Sequence, residues 1–243
     1  MIYDAALAVV YPQSCVICGA SVESRRWGAT CERCWEGTRT FLPTESLCWK
    51  CGVPSPGAIQ QNPEQVTCRR CVLEPFSVAR ACGVYEGALR AAILGLKREP
   101  YLPPYLIELL FETQMCSPLQ RATLIIPVPL HAERERVRGF NQALVIAREL
   151  SCLTGIPLAE RALVRNISTN RHRAGMDDKA RRQTVANAFQ VGYPAIISGE
   201  SILLVDDVFT TGATAAACAV VLLAAGAKEV LVLTIARPLF VPR

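Results

Sequence analysis

No stretch of this 243-residue chain reaches the roughly 18 consecutive apolar residues a membrane helix requires, so insertion into a bilayer is not expected. The opening Met1-Ile2-Tyr3-Asp4 lacks the basic start of a secretory leader, and the apolar patch from Ala5 to Tyr11 is brief; a cytoplasmic chain is the expectation. Histidine occurs only twice, at His131 and His172, and neither is placed to ligate zinc. Disulfides are disfavoured where nothing points to secretion. What the chain does have is cysteine, twelve of them, proline, sixteen, and a hydrophobic fraction of 51%, ample for a real core.

Eight of the cysteines form four Cys-x-x-Cys pairs: Cys15/Cys18, Cys31/Cys34, Cys48/Cys51 and Cys68/Cys71. A two-residue gap lets both thiolates of a tight knuckle face one ion, and two knuckles complete a tetrahedron, so up to two structural zinc ions are expected. Local pairing, with Cys15 to Cys34 as one unit and Cys48 to Cys71 as the other, makes the stretch a duplication; a crossed arrangement uses the same thiols. Gly19 and Gly52 follow the second cysteine of the first and third knuckles, where a positive φ is often needed. Redox dithiols are the rival reading. The stretch is rich in proline (Pro43, Pro54, Pro56, Pro63, Pro75) and poor in aliphatics, so metal binding would supply its folding free energy. Trp27, Trp35 and Trp49 all fall here, as module core or as stacking platforms for single-stranded nucleic acid. Cys82, Cys116, Cys152 and Cys218 sit in apolar surroundings and read as small core residues.

After Pro75 the pattern becomes alternating strands and helices, which predicts a doubly wound, mainly parallel α/β domain over 76–243 behind a module over 1–75 consisting of an N-terminal helix and a double zinc ribbon. Strands are expected at Val78–Tyr85, Ala122–Val128, Ile202–Val205 and Val230–Ile235, with short ones at Leu163–Asn166 and Phe189–Val191. Helices are expected at Gly87–Lys97, with Leu89, Ile93, Leu94 and Leu96 near one face, opened by Pro103-Pro104 and running through Met115, at Asn141–Thr154 and at Thr214–Ala225. Arg171–Arg182 is polar throughout and reads as a lid loop.

The run Ile202-Leu203-Leu204-Val205-Asp206-Asp207-Val208-Phe209-Thr210-Thr211-Gly212-Ala213-Thr214 carries the chemistry. Ligands of open α/β sheets sit beyond the carboxyl ends of the strands, where this order places two carboxylates. The loop behind them suits a phosphate, because helix N-terminal N–H groups point outward and the macrodipole favours an anion. Gly212 admits close approach of the backbone, and Thr210, Thr211 and Thr214 add hydroxyl donors. Asp206 and Asp207 suit a ribose diol and would stabilise positive charge developing at an anomeric carbon. A phosphorylated pentose fits all of these.

Leu203–Thr214 resembles the phosphoribosyl pyrophosphate (PRPP) motif of type I phosphoribosyltransferases, and nearly the whole chain resembles the ComF family (competence protein F). Ile126-Pro127-Val128-Pro129-Leu130-His131, Arg138-Gly139-Phe140-Asn141-Gln142, and the block with Ala174-Gly175, Arg181-Arg182 and Ala188-Phe189 carry that likeness. Arg173, Thr184 and Asn187 depart from the residues relatives usually carry there. The resemblance implies the type I phosphoribosyltransferase fold and catalytic Asp206 and Asp207. It places the 5′-phosphate in Val208–Thr214, and pyrophosphate, with Mg²⁺, near Lys97, His131, Arg134, Arg136 and Arg138, with Arg173 and Arg182 on the mobile loop. Lys97 reads equally as a cation neutralising a helix C-terminus. The acceptor is not implied.

From His131 to Arg182 there are eleven Arg and Lys against six Asp and Glu, which accounts for the whole net charge of +5. Arginine-rich charge suits a highly anionic substrate, a nucleic-acid backbone, or simply a solvated face. The alternative function is therefore single-stranded-DNA handling during uptake, with other competence proteins as partners, as the family's link to transformation implies.

Overall fold

The computed structural model describes residues 13–42, 44–55, 67–116, 118–166 and 188–239. The expected N-terminal helix and the lid loop around Arg171–Arg182, with Arg173 and Arg182, lie outside the described residues.

Four strands form one parallel sheet: β1 (Val78–Val84), β2 (Leu124–Pro127), β5 (Ser201–Val208) and β6 (Glu229–Arg237), in the order β1-β6-β5-β2. Strand β5 is buried from Ser201 to Val205, as expected of a central strand covered on both faces. Leu203, Val205, Leu231, Leu233 and Ile235 point to one side, where they meet α2 (Gly87–Leu96), α3 (Pro104–Met115) and α5 (Gln142–Thr154). Ile202, Leu204, Val230 and Val232 point to the other, under α6 (Ala213–Ala224). Each such aliphatic side chain withdrawn from water contributes about 2 kcal/mol. The domain is thus doubly wound, as expected. The small strands β3 (Leu163–Arg165) and β4 (Phe189–Val191) do not join this sheet; they pair antiparallel with each other.

Several boundaries differ from the sequence expectation. Strand β5 runs on through both acids to Val208, because the ladder with β6 continues past Asp206–Thr234 to Val208–Ala236. The connection to α6 is therefore only Phe209–Gly212. A short helix, α4 (Ala132–Arg138), occupies a stretch without an apolar stripe. Local chemistry makes it. The His131 ring caps its start, Glu133 and Glu135 lie in its first turn, Arg136 and Arg138 in its last, and Gly139 closes it in the left-handed region. Leu94 is exposed, as the outer face of α2 requires once Ala88, Leu89, Ile93 and Leu96 turn inward. Cys82 and Cys218 are core residues, whereas Cys116 is half-buried and Cys152 exposed. Cys152 falls opposite the buried stripe Ala143, Ile146, Ala147 and Leu150 of α5.

The cysteine-rich module is a duplication with an offset of 33 residues in its first half. Cys15 N donates to Ala20 O and Gly19 N to Cys15 O; Cys48 N donates to Val53 O and Gly52 N to Cys48 O. The bridges Ser14–Ser21 and Leu47–Pro54 correspond in the same way. Gly19 and Gly52 both take a positive φ, 75° and 66°. At Gly52 a Cβ would also lie 2.7 Å from Ala79 O, so the knuckle presses directly on β1.

The three tryptophans join the module to the sheet domain. Trp35, on the short helix α1 (Glu32–Glu36), is buried, donates from Nε1 to Trp27 O at 2.9 Å, and meets the Tyr105 ring of α3 edge-on at 5.1 Å; Trp27 meets the same ring at 4.7 Å. Trp49 stacks with Arg80 of β1. Residues 39–41 also pair with the outer edge of β1: Phe41 N donates to Cys82 O and Val84 N to Arg39 O, at 2.8 and 2.9 Å. Covering that edge removes a row of open backbone groups that would template aggregation.

Candidate functional site

The acids stand where β5 leaves the sheet, half-buried. Asp206 Oδ1 accepts from the Asp207 N–H at 2.9 Å, which fixes its carboxylate. Burial, and then the charge of Asp207, push Asp206 well above the usual carboxylate range; the charge of Arg165, on β3, acts the other way. Asp207 Oδ2 lies 3.6 Å from Lys97 Nζ. Lys97 is the C-cap of α2, 110 positions away in sequence, so the fold delivers a cation to the pair. Lys97 thus caps the helix with its backbone while its ammonium faces Asp207. Cys218, on α6, is buried in the core, and its thiol is pushed up by burial and then by the charge of Asp206.

The loop that follows is shaped by Phe209 and Gly212. Phe209 is buried, and its N–H is spent on Ala236 O at 3.0 Å, so neither its ring nor its amide faces a ligand. Gly212 is the N-cap of α6 with φ 82°; a Cβ there would lie 2.9 Å from the Phe209 ring. The turn therefore demands glycine on both conformation and space. Thr210 is exposed, and Thr211 and Thr214 are half-buried. Thr211 Oγ1 accepts from Ala213 N, at 3.4 Å. The N–H groups of Thr214 and Ala215 have no helical carbonyl ahead of them, which leaves them for an anion or water.

Next to β5, strand β2 ends in the Pro-Val-Pro-Leu-His segment: Pro127 pairs with Val205, and Val128 N donates to Val205 O at 2.9 Å. His131 therefore starts from the same end of the sheet as the acids. Its Nδ1 accepts from Glu133 N at 3.3 Å, so a neutral ring carries its proton on Nε2, ready to donate. Asn141 caps α5 through Ala143 N and holds Val128 O with its Nδ2, both at 3.0 Å. Arg138 is bonded to Gln142 Oε1. Hence Arg-Gly-Phe-Asn-Gln builds the corner between α4 and α5: Gly139 makes the turn, Asn141 ties it to β2, and Arg138 and Gln142 brace each other. Arg134 and Arg136 lie on α4, half-buried and exposed. Arg165 was missed by sequence reading, because a lone arginine in a three-residue strand carries no motif.

The cysteines gather into two sets, Cys15/Cys18/Cys31/Cys34 and Cys48/Cys51/Cys68/Cys71, each with its sulfurs within 4.8 Å of one another. The local pairing is thus realised and the crossed one is not. Neighbouring sulfurs stand 3.3–3.7 Å apart. A tetrahedron with Zn–S bonds of about 2.3 Å has edges of about 3.8 Å, so the sites fit zinc. Electrostatics agree. At Cys48 a hydrogen bond from Cys51 overrides burial and pulls the thiol down to about 4, while burial and the bond to Cys68 push Cys71 up to about 12. In the first set, backbone donors from Cys18, Ile17 and Cys31 overcome burial and lower Cys15 to about 6, whereas burial and Cys18 raise Cys34 to about 12. Four thiolates this close need a cation to ionise together. The Cys48 sulfur also accepts from Cys68 N at 3.2 Å, a typical supporting contact.

A separate groove of about 1040 Å³ lies between the first zinc set and the start of α2, lined by Ile17, Trp27, Glu32, Arg33 and Thr38 among others. It shares no residue with the acid pair or its loop.

Residues 6–72 match the double zinc ribbon domain family. The chain is 30% identical over 236 residues to DNA utilization protein YhgH of Escherichia coli (strain K12), covering 94% of this chain and 98% of that one. It is 36% identical over 117 residues to competence protein F of Haemophilus influenzae, covering 46% and 49%. Among solved structures it is similar to a purine phosphoribosyltransferase from Pyrococcus horikoshii, with 19% identity, a TM-score of 0.35, and coverage of 56% of this chain and 75% of that one. Among the described residues, no helix is long and apolar enough to cross a membrane.

Proposed function

Because the chain belongs to the ComF family, we propose that it binds PRPP with Mg²⁺ and transfers the 5-phosphoribosyl group to an acceptor, releasing pyrophosphate. The observation that carries this reading is the acid pair at the end of β5, tethered to Lys97 and followed within five residues by a glycine-capped helix start. Asp206 and Asp207 accept the ribose 2′- and 3′-hydroxyls. The N-terminal N–H groups of α6, with Thr210, Thr211 and Thr214, hold the 5′-phosphate. As the bond from the anomeric carbon to pyrophosphate loosens, the carboxylates stabilise the positive charge that develops there, and pyrophosphate leaves with the electron pair. Lys97, His131 Nε2 and the arginines Arg134, Arg136 and Arg138 stand on the pyrophosphate side. Arg173 and Arg182, outside the described residues, are in this reading further cations for the pyrophosphate. Mg²⁺ brought in with PRPP would supply further positive charge to the departing diphosphate, beside Lys97, His131 and the arginines. The acceptor attacks the anomeric carbon and gives up a proton.

Isothermal titration of the zinc-loaded chain with PRPP and Mg²⁺ tests this directly. Saturable heat with a micromolar midpoint is expected; no heat at millimolar ligand ends the proposal.

A second reading is favoured by the relatives named for DNA utilization and competence and by the basic segment His131–Arg182. Here the chain handles single-stranded DNA, and sugar-phosphate binding is regulatory. Oligonucleotide affinity should then fall steeply with salt, with a log–log slope of about −3 or steeper if four or more phosphates are contacted. A flat salt response removes this reading and leaves the first untouched.

A further inference from the structure

Arg237 ends β6 and is buried at 6% exposure, a costly place for a cation. Its Nη1 donates to the carbonyl oxygen of Cys51, within the third knuckle and the second zinc set. Its guanidinium carbon lies 5.4 Å from the centre of the Phe209 ring. Its Nε, also buried, has no hydrogen-bond partner among the described residues. The Phe209 ring in turn meets Phe76 edge-on at 5.8 Å and supports Gly212, the N-cap of α6. A contiguous path therefore runs from Cys51 through Arg237 and Phe209 to the phosphate loop.

The charge explains the burial. Zinc with four thiolates carries a net charge of −2, from one dication and four anions. Two cations flank that centre. Arg80 donates to Trp49 O at 2.7 Å and to Cys48 O at 3.5 Å, and Arg237 holds Cys51. With the metal bound, each guanidinium has a counter-charge. Without it, Arg237 is a buried, partly unsatisfied cation, and it no longer has a reason to stay against Phe209. Packing alone does not require an arginine here, since an unbranched apolar side chain fills similar volume without the desolvation cost.

We propose that Arg237 is a positioning residue that couples the Cys48/Cys51/Cys68/Cys71 zinc centre to the Phe209–Gly212 turn, so that the loop keeps its anion-holding shape only while that centre is charged. The ligand half of this inference rests on the PRPP reading above; the coupling half does not.

The test uses the full, zinc-loaded chain and two variants, Arg237→Met and Arg237→Lys, each first checked for two zinc ions per chain and cooperative unfolding. Amide hydrogen exchange at Thr210–Ala213 is measured without ligand. Exchange at least tenfold faster in Arg237→Met is expected, with Arg237→Lys, which keeps the charge but not the planar fork, in between. PRPP affinity should fall about tenfold in Arg237→Met. Exchange within twofold of the parent overturns the coupling, whatever PRPP does. Faster exchange in the variant, combined with a parent that gives no heat with PRPP, sustains the coupling and rejects the ligand. Should Arg237→Met fail to fold, Phe209→Leu cuts the path one residue later and must show the same faster exchange at Thr210–Ala213; parental rates there overturn the coupling.

Discussion

Removing both zinc ions with a chelator is expected to collapse the cysteine module and, with it, the integrity of the sheet domain. The melting temperature should drop by well over 10 °C or the cooperative transition should disappear. Tryptophan emission should shift to the red, because Trp27, Trp35 and Trp49 all lie in the module and pack against α3 and β1. The magnitude follows from the metal. Structural zinc supplies on the order of 10 kcal/mol of folding free energy per site, as much as a whole domain's margin. The module has little else, since its own small cluster around the first site consists of Cys15, Val22 and Cys31, with Cys34 against it. The damage should also spread. Cys48, Cys51 and Cys71 belong to the core under α6, Trp35 belongs to the core of the opposite face, and residues 39–41 seal the edge of β1. A chelated chain should therefore aggregate through that edge. Unchanged melting and emission after two zinc ions per chain have left would overturn this account.

The second large effect is at the acid pair, where substitution of either member should cost activity but only one should raise stability. Asp207→Asn removes the partner of Lys97 and one acceptor of the diol. The fold should survive, and pyrophosphate release from PRPP, across a panel of nucleobases and amines, should fall about 100-fold or more, the scale set by losing one preorganised electrostatic contact. A variant as active as the parent would make the pair decorative. Asp206→Asn should also lose activity, yet stabilise the unliganded chain. An amide oxygen still accepts from Asp207 N–H, while the burial cost and the repulsion from Asp207 disappear. A higher melting temperature than the parent's at neutral pH is expected.

That gain has a definite pH dependence. Asp206 is raised in the folded chain, so the folded state holds its proton more tightly than the unfolded state. Its contribution is fully present below the ordinary carboxyl value of about 3.9 and is lost as pH rises through the folded value. The advantage of Asp206→Asn should thus be small near pH 4 and larger at neutral pH. A difference that shrinks with rising pH would contradict the arrangement of the pair. Stability given up at Asp206 is what a site kept for ligand binding rather than for packing is expected to show.

The amino-acid order alone determined what depends on near neighbours. The four knuckles, two of them with a following glycine, the order strand–loop–helix around the acids, the helix start at Pro103-Pro104 and the α5 stop at Gly155 are all set by residues within a few positions of one another, and each was legible in kind, though the end of β5 was placed three residues early. The apolar run Ile202–Val205 of β5, without alternation, already pointed to a sheet covered on both faces. Tertiary structure decided what joins distant positions. Spacing offered the local pairing of knuckles and the crossed one, and folding chose the local; Lys97 beside Asp207, Arg165 acting on Asp206, and Arg237 lodged between Cys51 and Phe209 leave no trace in spacing, because the chain meets itself there only after folding. Phe209 is the clearest case: in order it belongs to the ligand loop, but a buried aromatic ring goes to the core, and the core lay beneath it.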